Sequence, residues 1–218
     1  MELTPYFSSE LLKKMMPKLP DDKLYEYHKY LHEGMLRIEV NTVNRMACLL
    51  AQLALESGDL RWWKEWDSGN DNYQEYDFRG DLGHNARGMG AKYCGRGPIQ
   101  TTGLKNYTRA SEAAYEAGIV DSPDAYVKNP ELLEQPEHGF FASLLYWDDH
   151  DLNGHADYLA FDKISYIINA GPWREGYDQS QKQRQVALGK MHGCKERRDR
   201  FFWIVELLSK AQEEWEEE

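Results

Sequence analysis

The residues of this chain whose types and spacing suit bond cleavage lie around one helix end and the loop after it. The apolar stretch CLLAQLALES ends with Glu56 and Ser57, just before Gly58. A polar, aromatic and glycine-rich loop follows from residue 59 to residue 98, and it carries further acids. Hydrolysis of a glycosidic bond commonly needs two carboxyl groups on opposite sides of that bond. The pattern therefore indicates a cleft that accepts a polysaccharide.

Glu56 is the first of the two predicted carboxyl groups. The helix that it ends is apolar, so the carboxyl group is expected to be partly removed from water. Partial removal from water favours the protonated form of a carboxyl group, which a general acid must have near neutral pH. The alternative is a glutamate that reaches solvent or pairs with an arginine, and this segment alone leaves that alternative open.

The second carboxyl group is expected in the loop, across a gap that admits a water molecule. Spacing does not choose among the acids there, which are Glu65, Asp67, Asp71, Glu75, Asp77 and Asp81. Most acids in a loop are simply solvated, so the base stays open at this point.

The segment CGRGPIQTTGLKNY, residues 94–107, offers groups of another kind. Gly95 and Gly97 permit close approach of the backbone to a substrate or a helix. Arg96 is predicted to orient a carboxylate or a substrate. Neutral donors and acceptors suited to hydroxyl and acetamido groups are Gln100, Thr101, Thr102 and Asn106. The alternative is a glycine-rich turn before a capped helix, and a phosphate-binding loop does not fit the spacing.

Composition narrows the class of ligand. The seven Trp and fourteen Tyr are many for 218 residues. Their flat apolar faces suit stacking on sugar rings, and Trp62 and Tyr76 are predicted to bind substrate in this way, although most aromatic residues simply pack. The formal charge of −11 argues against a nucleic-acid partner, which needs clustered Lys and Arg.

Helical periodicity predicts one mostly α domain over residues 1–218, with a long glycine-rich loop and at most a small β-hairpin. Short strands are expected around Gln74–Phe78 and Lys92–Cys94. The expected helices begin at Ser8 or Ser9 (to Met16), at Asp21 or Asp22, and at Asn41 or Thr42 (to Ser57), and then lie at about Leu104–Ala117, Pro136–Trp147, Ala160–Asn169, Gln179–His192 and Arg197–Trp215.

A metal-dependent alternative comes from a cluster of acids and histidines. Its members are Asp148, Asp149, His150, Asp151, His155 and Asp157. Zinc amidases and peptidases use such ligands. The cluster contains Asn-Gly, reads as a polar loop and lacks an HExxH helix, so we predict neither a metal nor another cofactor.

Three segments resemble glycoside hydrolase family 19, which includes plant-type chitinases and bacteriophage endolysins. AQLALES resembles the family helix that ends in His-Glu-Ser, and YDFRGDLGH (residues 76–84) resembles Tyr-Glu-Gly-Arg-x-Asp-Leu-Gly-Asn. CGRGPIQTTGLKNY matches Gly-Arg-Gly-x-Ile-Gln-x-Thr/Ser-x-x-x-Asn-Tyr very well. A weaker block is IINAGP, residues 167–172. The resemblance covers about residues 43–202 and leaves residues 1–42 as an N-terminal helical extension.

The resemblance implies a lysozyme-like, bilobal fold and an inverting mechanism that needs no metal. Glu56 then has the position of the general acid, and Arg200 is expected to support its charge state. Gln100, Thr102, Asn106 and Asn169 are implied to position water, sugar or the catalytic carboxylates. Two residues depart from the family pattern: Leu55 stands where His is frequent, and Asp77 stands at the position of the second Glu. Glu65 and Glu75 are therefore alternative bases, and a non-catalytic glycan-binding module is an alternative function.

The compartment in which the chain is expected to be made favours peptidoglycan over chitin as the substrate, and a chitinase of the same mechanism is the alternative. Three cysteines without a CxxC pair predict reduced thiols. The N-terminus has no signal-peptide pattern, and no apolar run is long enough to enter a bilayer stably. We therefore expect a monomeric endolysin whose partner is the peptidoglycan glycan strand. It is expected to stay in the bacterial host's cytoplasm until a holin releases it to the wall.

Overall fold

The computed structural model describes residues 6–67, 69, 71–170 and 193–217. Its α-helices, in chain order, are α1 (Ser9–Met15), α2 (Leu24–Arg37), α3 (Val43–Glu56), α4 (Met89–Lys92), α5 (Leu104–Glu116), α6 (Ala125–Lys128), α7 (Pro136–Asp149), α8 (Leu152–Asp157), α9 (Phe161–Ala170) and α10 (Cys194–Glu216). Three 3-10 turns lie at Asp21–Lys23, Gln74–Tyr76 and Pro130–Glu134. The predicted helix at Gln179–His192 lies outside the described residues.

The mostly α prediction is confirmed, but both predicted strands are wrong. Gln74–Tyr76 is a 3-10 turn, and Lys92 ends the short helix α4. In the described part of the chain, β-pairing consists of isolated antiparallel bridges, Lys64 with Arg96 and Arg96 with Thr101. A turn closed by the hydrogen bond from Gln100 N to Gly97 O brings residues 96 and 101 together, so the bridge between Arg96 and Thr101 is local and short.

The core is built around α3. Thr42 caps this helix by accepting a hydrogen bond from Arg45 N at 3.2 Å, as the predicted start requires. Nine successive residues, from Met46 to Ala54, are buried. A helix that is buried on every face belongs in the interior of a domain rather than on its surface. Glu56 thus stands at the end of the most enclosed helix among those described.

The first forty residues pack into the same core. In α1 the buried side chains Leu11, Leu12 and Met15 join the apolar cluster that includes α3. Leu31 and Met35 of α2 belong to that cluster as well. The N-terminal segment therefore contributes to the core that carries Glu56.

A second apolar cluster lies on the other side of α7. Tyr107 of α5, Tyr126 of α6 and Leu133 are buried in it. Helix α7 contributes Phe140 to the first cluster and Ala142 to the second. The two clusters are consistent with the two lobes that the family resemblance implies, and α7 is the element that both share.

Helix α10 lies against α3 with one narrow buried face. Its buried side chains Arg197, Phe201, Ile204 and Leu208 are spaced four, three and four residues apart, which places them on one side of a helix. Most of the other residues of α10 are partly or fully exposed. Among the described residues, no helix has both the length and the apolar character that crossing a membrane requires.

Candidate active site

Glu56 emerges from the core at the end of α3. Ser57 ends the helix, with its N–H donating to Leu53 O at 3.1 Å, and Gly58 follows at a φ of +58°. The Glu56 side chain retains 18% of its exposure. The predicted partial burial of this carboxyl group is therefore present in the structure.

The charged partner of Glu56 is Arg197. Nη2 of this arginine donates to Glu56 Oε1, and the arginine side chain is 2% exposed. The sequence prediction named Arg200 for this role, and that assignment is wrong. Arg200 instead lies 3.1 Å from Asp59 Oδ1 and donates to Met15 O at 2.6 Å.

A signal for Arg197 was present in the sequence. Arg197 stands four residues before Phe201, seven before Ile204 and eleven before Leu208, so it continues the apolar face of α10. A charged residue on a buried face needs a partner, because an unpaired buried charge is costly. Arg200 stands one turn after Arg197 and about 60° away around the helix, at the more exposed edge of this face.

Glu65 is held where two loop segments meet. Its N–H donates to Gly95 O at 2.8 Å, which ties the segment after α3 to residues 94–107, which we call the return segment. Its carboxylate accepts from the Tyr76 hydroxyl at 2.6 Å through Oε1 and from Gly95 N at 2.9 Å through Oε2. Burial, followed by this hydrogen bond, raises the pKa of Tyr76, so the phenol stays protonated and keeps donating.

Two more predicted site residues lie beside Glu65. A Cβ added to Gly95 would lie 3.0 Å from Glu65 Oε2, 2.8 Å from Gln100 Oε1 and 3.1 Å from Thr102 Oγ1. The absence of a side chain at Gly95 therefore lets three polar groups converge on one point. Gln100 places its Oε1 at this point from a left-handed backbone conformation, with a φ of +62°. Together with Tyr76, these residues form what we call the Gly95 cluster: Glu65, Tyr76, Gln100 and Thr102.

Asn106 supports this cluster from α5. Its Nδ2 donates to Thr102 O at 2.8 Å, and the residue is exposed. Thr102 Oγ1 donates to Gln100 O at 2.9 Å, and Gln100 Nε2 donates to Gly97 O at 2.8 Å. These bonds fix the loop, while Gln100 Oε1 is left facing the Gly95 cluster.

Arg96 binds a carboxylate, which is one of its two predicted roles, but it does so inside the protein. The residue is 5% exposed, and its guanidinium donates to Glu134 Oε1 at 2.8 Å, Lys92 O at 2.8 Å and Tyr107 OH at 2.9 Å. Tyr107 OH donates onward to Cys94 O at 2.8 Å. Arg96 therefore anchors the return segment to the second apolar cluster from inside, and the prediction that it contacts substrate is wrong.

The other predicted bases are less favourably placed. Asp77 accepts from Gly88 N at 3.0 Å and from Gly90 N at 2.8 Å, one bond to each carboxylate oxygen. These backbone hydrogen bonds, that from Gly90 first, hold the pKa of Asp77 below its usual value. Asp77 thus closes the loop that follows it. Glu75 is exposed in the 3-10 turn.

Two predicted contacts lie outside the Gly95 cluster. Trp62 is exposed six residues after Glu56, with the Arg61 guanidinium 5.4 Å from its ring centre. Asn169 is exposed near the end of α9, and the last two residues of its block, 171 and 172, lie outside the described residues. Trp66 and Phe78 are two more exposed aromatic residues, and they directly follow Glu65 and Asp77. Neither was among the predicted contacts.

Several of the acids and histidines near residue 150 have structural partners. Asp149 pairs with Arg109, and Asp157 pairs with Arg45, each at 2.6 Å. Asp151 caps α8, a helix where the sequence predicted a loop. Within the described ranges, no group of three or more His, Cys, Asp or Glu is arranged to hold a metal ion.

No family model matches the chain. Solved structures resemble it closely in fold. A point mutant of a chitinase C shares 22% identity at a TM-score of 0.62, with 94% of this chain and 93% of that chain covered. Chitinase C from Streptomyces griseus shares 21% identity at a TM-score of 0.62, with the same shares covered. A bacterial family 19 chitinase shares 20% identity at a TM-score of 0.63, with 93% of this chain and 95% of that chain covered.

These matches confirm the resemblance at the level of fold. Because they cover 93–94% of this chain, they extend well into the N-terminal segment that the sequence resemblance left out. The chain therefore has the mostly α fold of the family 19 chitinases.

Proposed function

We propose that this chain is an inverting glycoside hydrolase that cuts β-1,4-linked glycans containing N-acetylglucosamine. One observation carries the proposal: a partly buried Glu56 paired with Arg197, and a second carboxylate, Glu65, gathered with Gln100 and Thr102, occur in a family 19 fold. Two carboxyl groups with different partners are what separate acid and base roles require.

Glu56 is the general acid in this mechanism. Among the described residues, Arg197 donates to Oε1, and in this mechanism Oε2 carries the proton. Glu56 gives that proton to the glycosidic oxygen as the bond from the anomeric carbon to this oxygen breaks. Arg197 then offsets the negative charge that remains on Glu56.

Glu65 is the general base. It takes a proton from a water molecule, whose oxygen bonds to the anomeric carbon on the face opposite the leaving group. The proton lost by Glu56 and the proton gained by Glu65 balance, and the products are two shorter glycans with one inverted anomeric centre. Tyr76 and Gly95 N hold the Glu65 carboxylate in place. Gln100 and Thr102 offer neighbouring contacts for the water or an acetamido group.

Within this class of glycans we propose bacterial peptidoglycan as the substrate and a monomeric endolysin as the role. The cysteines support this choice. All three are buried, and burial raises the pKa of Cys48 to about 12 and raises that of Cys94. Inert thiols suit synthesis in a reducing cytoplasm. Release to the wall through a holin is part of the same proposal.

Chitin hydrolysis is the second candidate. The specific observation in its favour is that all three solved structures reported above are chitinases. Chitin and the peptidoglycan glycan strand share β-1,4-linked N-acetylglucosamine, so the two readings use the same residues.

The test measures reducing ends released from purified peptidoglycan and from chitin oligomers. We expect Glu56→Gln and Glu65→Gln each to lower turnover by about 10²–10⁴-fold. Glu112→Gln, an exposed acid of α5, removes the same charge and should keep wild-type turnover. Proton NMR of the first product should show the inverted anomer.

Three results would count against parts of this proposal. Turnover of chitin alone would replace the endolysin role with the chitinase. A folded Glu56→Gln variant with wild-type turnover would remove the hydrolase mechanism. Retention of the anomeric configuration would exclude Glu65 as a base that activates water.

A further inference from the structure

A buried amide lies behind the proposed general acid. Gln52 stands on α3 one turn before Glu56 and is fully buried. Its Oε1 accepts from Arg197 Nη1, and its Nε2 donates to Ser165 Oγ at 2.7 Å. Ser165, on α9, is itself 1% exposed. A hydrogen-bonded chain thus runs from Ser165 through Gln52 and Arg197 to Glu56.

The orientation of the amide follows from donor and acceptor chemistry. A guanidinium group only donates hydrogen bonds, so the Gln52 group that faces Arg197 must be the carbonyl oxygen. The amide nitrogen is then directed at Ser165, whose hydroxyl oxygen accepts. Arg197 therefore selects the amide orientation, and Ser165 satisfies the buried amide nitrogen in that orientation.

Arg197 depends on this chain for its position. Its Nε is buried without a hydrogen-bond partner, so the described acceptors of the guanidinium are Gln52 and Glu56. Without Gln52, Glu56 alone would hold the guanidinium. A buried cation with one acceptor instead of two is free to rotate about that contact.

In the part of the chain that the structure describes, the groups that face Glu56 come from three helices. Arg197 approaches from α10, and Gln52 stands below on α3 and acts through Arg197. Tyr146 approaches from α7, where burial and then the nearby charge of Glu56 raise the pKa of its phenol. Tyr146 donates its hydroxyl proton to Ile167 O at 3.0 Å, so Arg197 is the cationic group among these neighbours.

We infer that Gln52 and Ser165 are positioning residues that hold Arg197 against Glu56 and so set the orientation and charge of the proton donor. The inference rests on the proposed role of Glu56. Neither residue contacts the substrate, and both act only through Arg197. A change in this chain should alter the chemical step and its pH dependence, while substrate binding is conserved.

Three variants test the chain on the N-acetylglucosamine tetramer and on peptidoglycan. Gln52→Met has a similar volume without hydrogen-bonding groups, and it should lower kcat by about 10²-fold, the size expected for a small misplacement of a catalytic group. The KM should stay within about twofold, since a group used only in the transition state affects kcat.

Gln52→Glu and Ser165→Ala probe charge and orientation separately. A carboxylate at position 52 competes for Arg197 and adds a negative charge behind Glu56, so the alkaline limb of the kcat profile should move to higher pH. Ser165→Ala should lower kcat less than Gln52→Met does, because only the hydrogen bond that holds the Gln52 amide nitrogen is lost and the bond to Arg197 is kept. Ser111→Ala is the matched control: this buried serine of α5 accepts from Tyr126 N, and its loss should lower the Tm without moving the pH limb.

The outcomes separate the two proposals. If Glu56→Gln abolishes turnover but folded Gln52→Met and Gln52→Glu keep the wild-type kcat and pH profile, the positioning inference is overturned and the hydrolase mechanism stands. If Gln52→Met does not fold, Gln52→Glu and Ser165→Ala decide by the same criteria. If Glu56→Gln retains turnover, the hydrolase mechanism is the one that fails, and the positioning inference fails with it.

Discussion

Replacing Gly95 with alanine should damage catalysis more than folding. The added methyl group would enter the point on which Glu65, Gln100 and Thr102 converge, at 3.0, 2.8 and 3.1 Å from their oxygens. The backbone tolerates alanine, because Gly95 is not among the glycines with positive φ. The affected atoms are the ends of side chains, which can retreat.

The size of the effect follows from these distances. To reach the ordinary contact distance of 3.4 Å, the three oxygens must retreat by about 0.3–0.6 Å. A misplacement of about 1 Å costs about 10²-fold in rate, so roughly half of that shift should cost about tenfold, or ~1.4 kcal/mol of barrier. The unfolded chain loses entropy when glycine becomes alanine, which contributes about 0.4–1 kcal/mol in favour of folding and offsets the crowding.

The assay compares Gly95→Ala with Gly80→Ala by reducing-end release and by thermal unfolding. Gly80 lies in the same loop, and a Cβ there meets nothing within 4 Å. We expect kcat/KM to fall about tenfold for Gly95→Ala alone, with both Tm values near that of the wild type. Equal kcat/KM for the two variants would refute the argument that the space at Gly95 positions Glu65.

Three further changes test the loop and its anchors. Arg96→Met should lower the free energy of unfolding by about 2 kcal/mol in chemical denaturation, since it removes the hydrogen bonds of a buried guanidinium to Lys92 O and Tyr107 OH, and an unchanged midpoint would contradict the anchoring role. Tyr76→Phe should lower kcat about tenfold, because the donor that orients Glu65 is lost, and wild-type kcat would show that Gly95 N alone suffices. The depressed pKa of Asp77 means that its stabilisation is present above the unfolded value of about 3.9 and is lost as the pH falls through the folded value. The protection factor of the Gly90 amide against hydrogen exchange should therefore fall on acidification in the wild type but be low at every pH in Asp77→Ala.

Local sequence determined the helical scaffold and the position of Glu56, the proposed general acid. Apolar residues at helical spacing and a capping threonine predicted α3 and its end at Glu56, because both signals act within a few residues of the chain. The return segment was also readable, since its glycines and amides make contacts within a dozen residues. The short helices α4, α6 and α8 were not predicted, because four to six residues carry little periodicity.

Tertiary structure decided which charged groups meet. Arg197 and Arg200 differ by three residues, and only the packing of α10 on α3 turned Arg197 toward Glu56. Likewise, the loop acids have the same chemistry, and their hydrogen-bond partners distinguish them. Glu65 accepts from Gly95 N, thirty residues away in sequence, whereas Asp77 accepts from backbone amides of its own loop. Helix propensity and motif spacing act locally, whereas the partner of a charge depends on segments far away in sequence. Most of the longer helices were therefore predictable from the chain, and the partners of its charged groups were not.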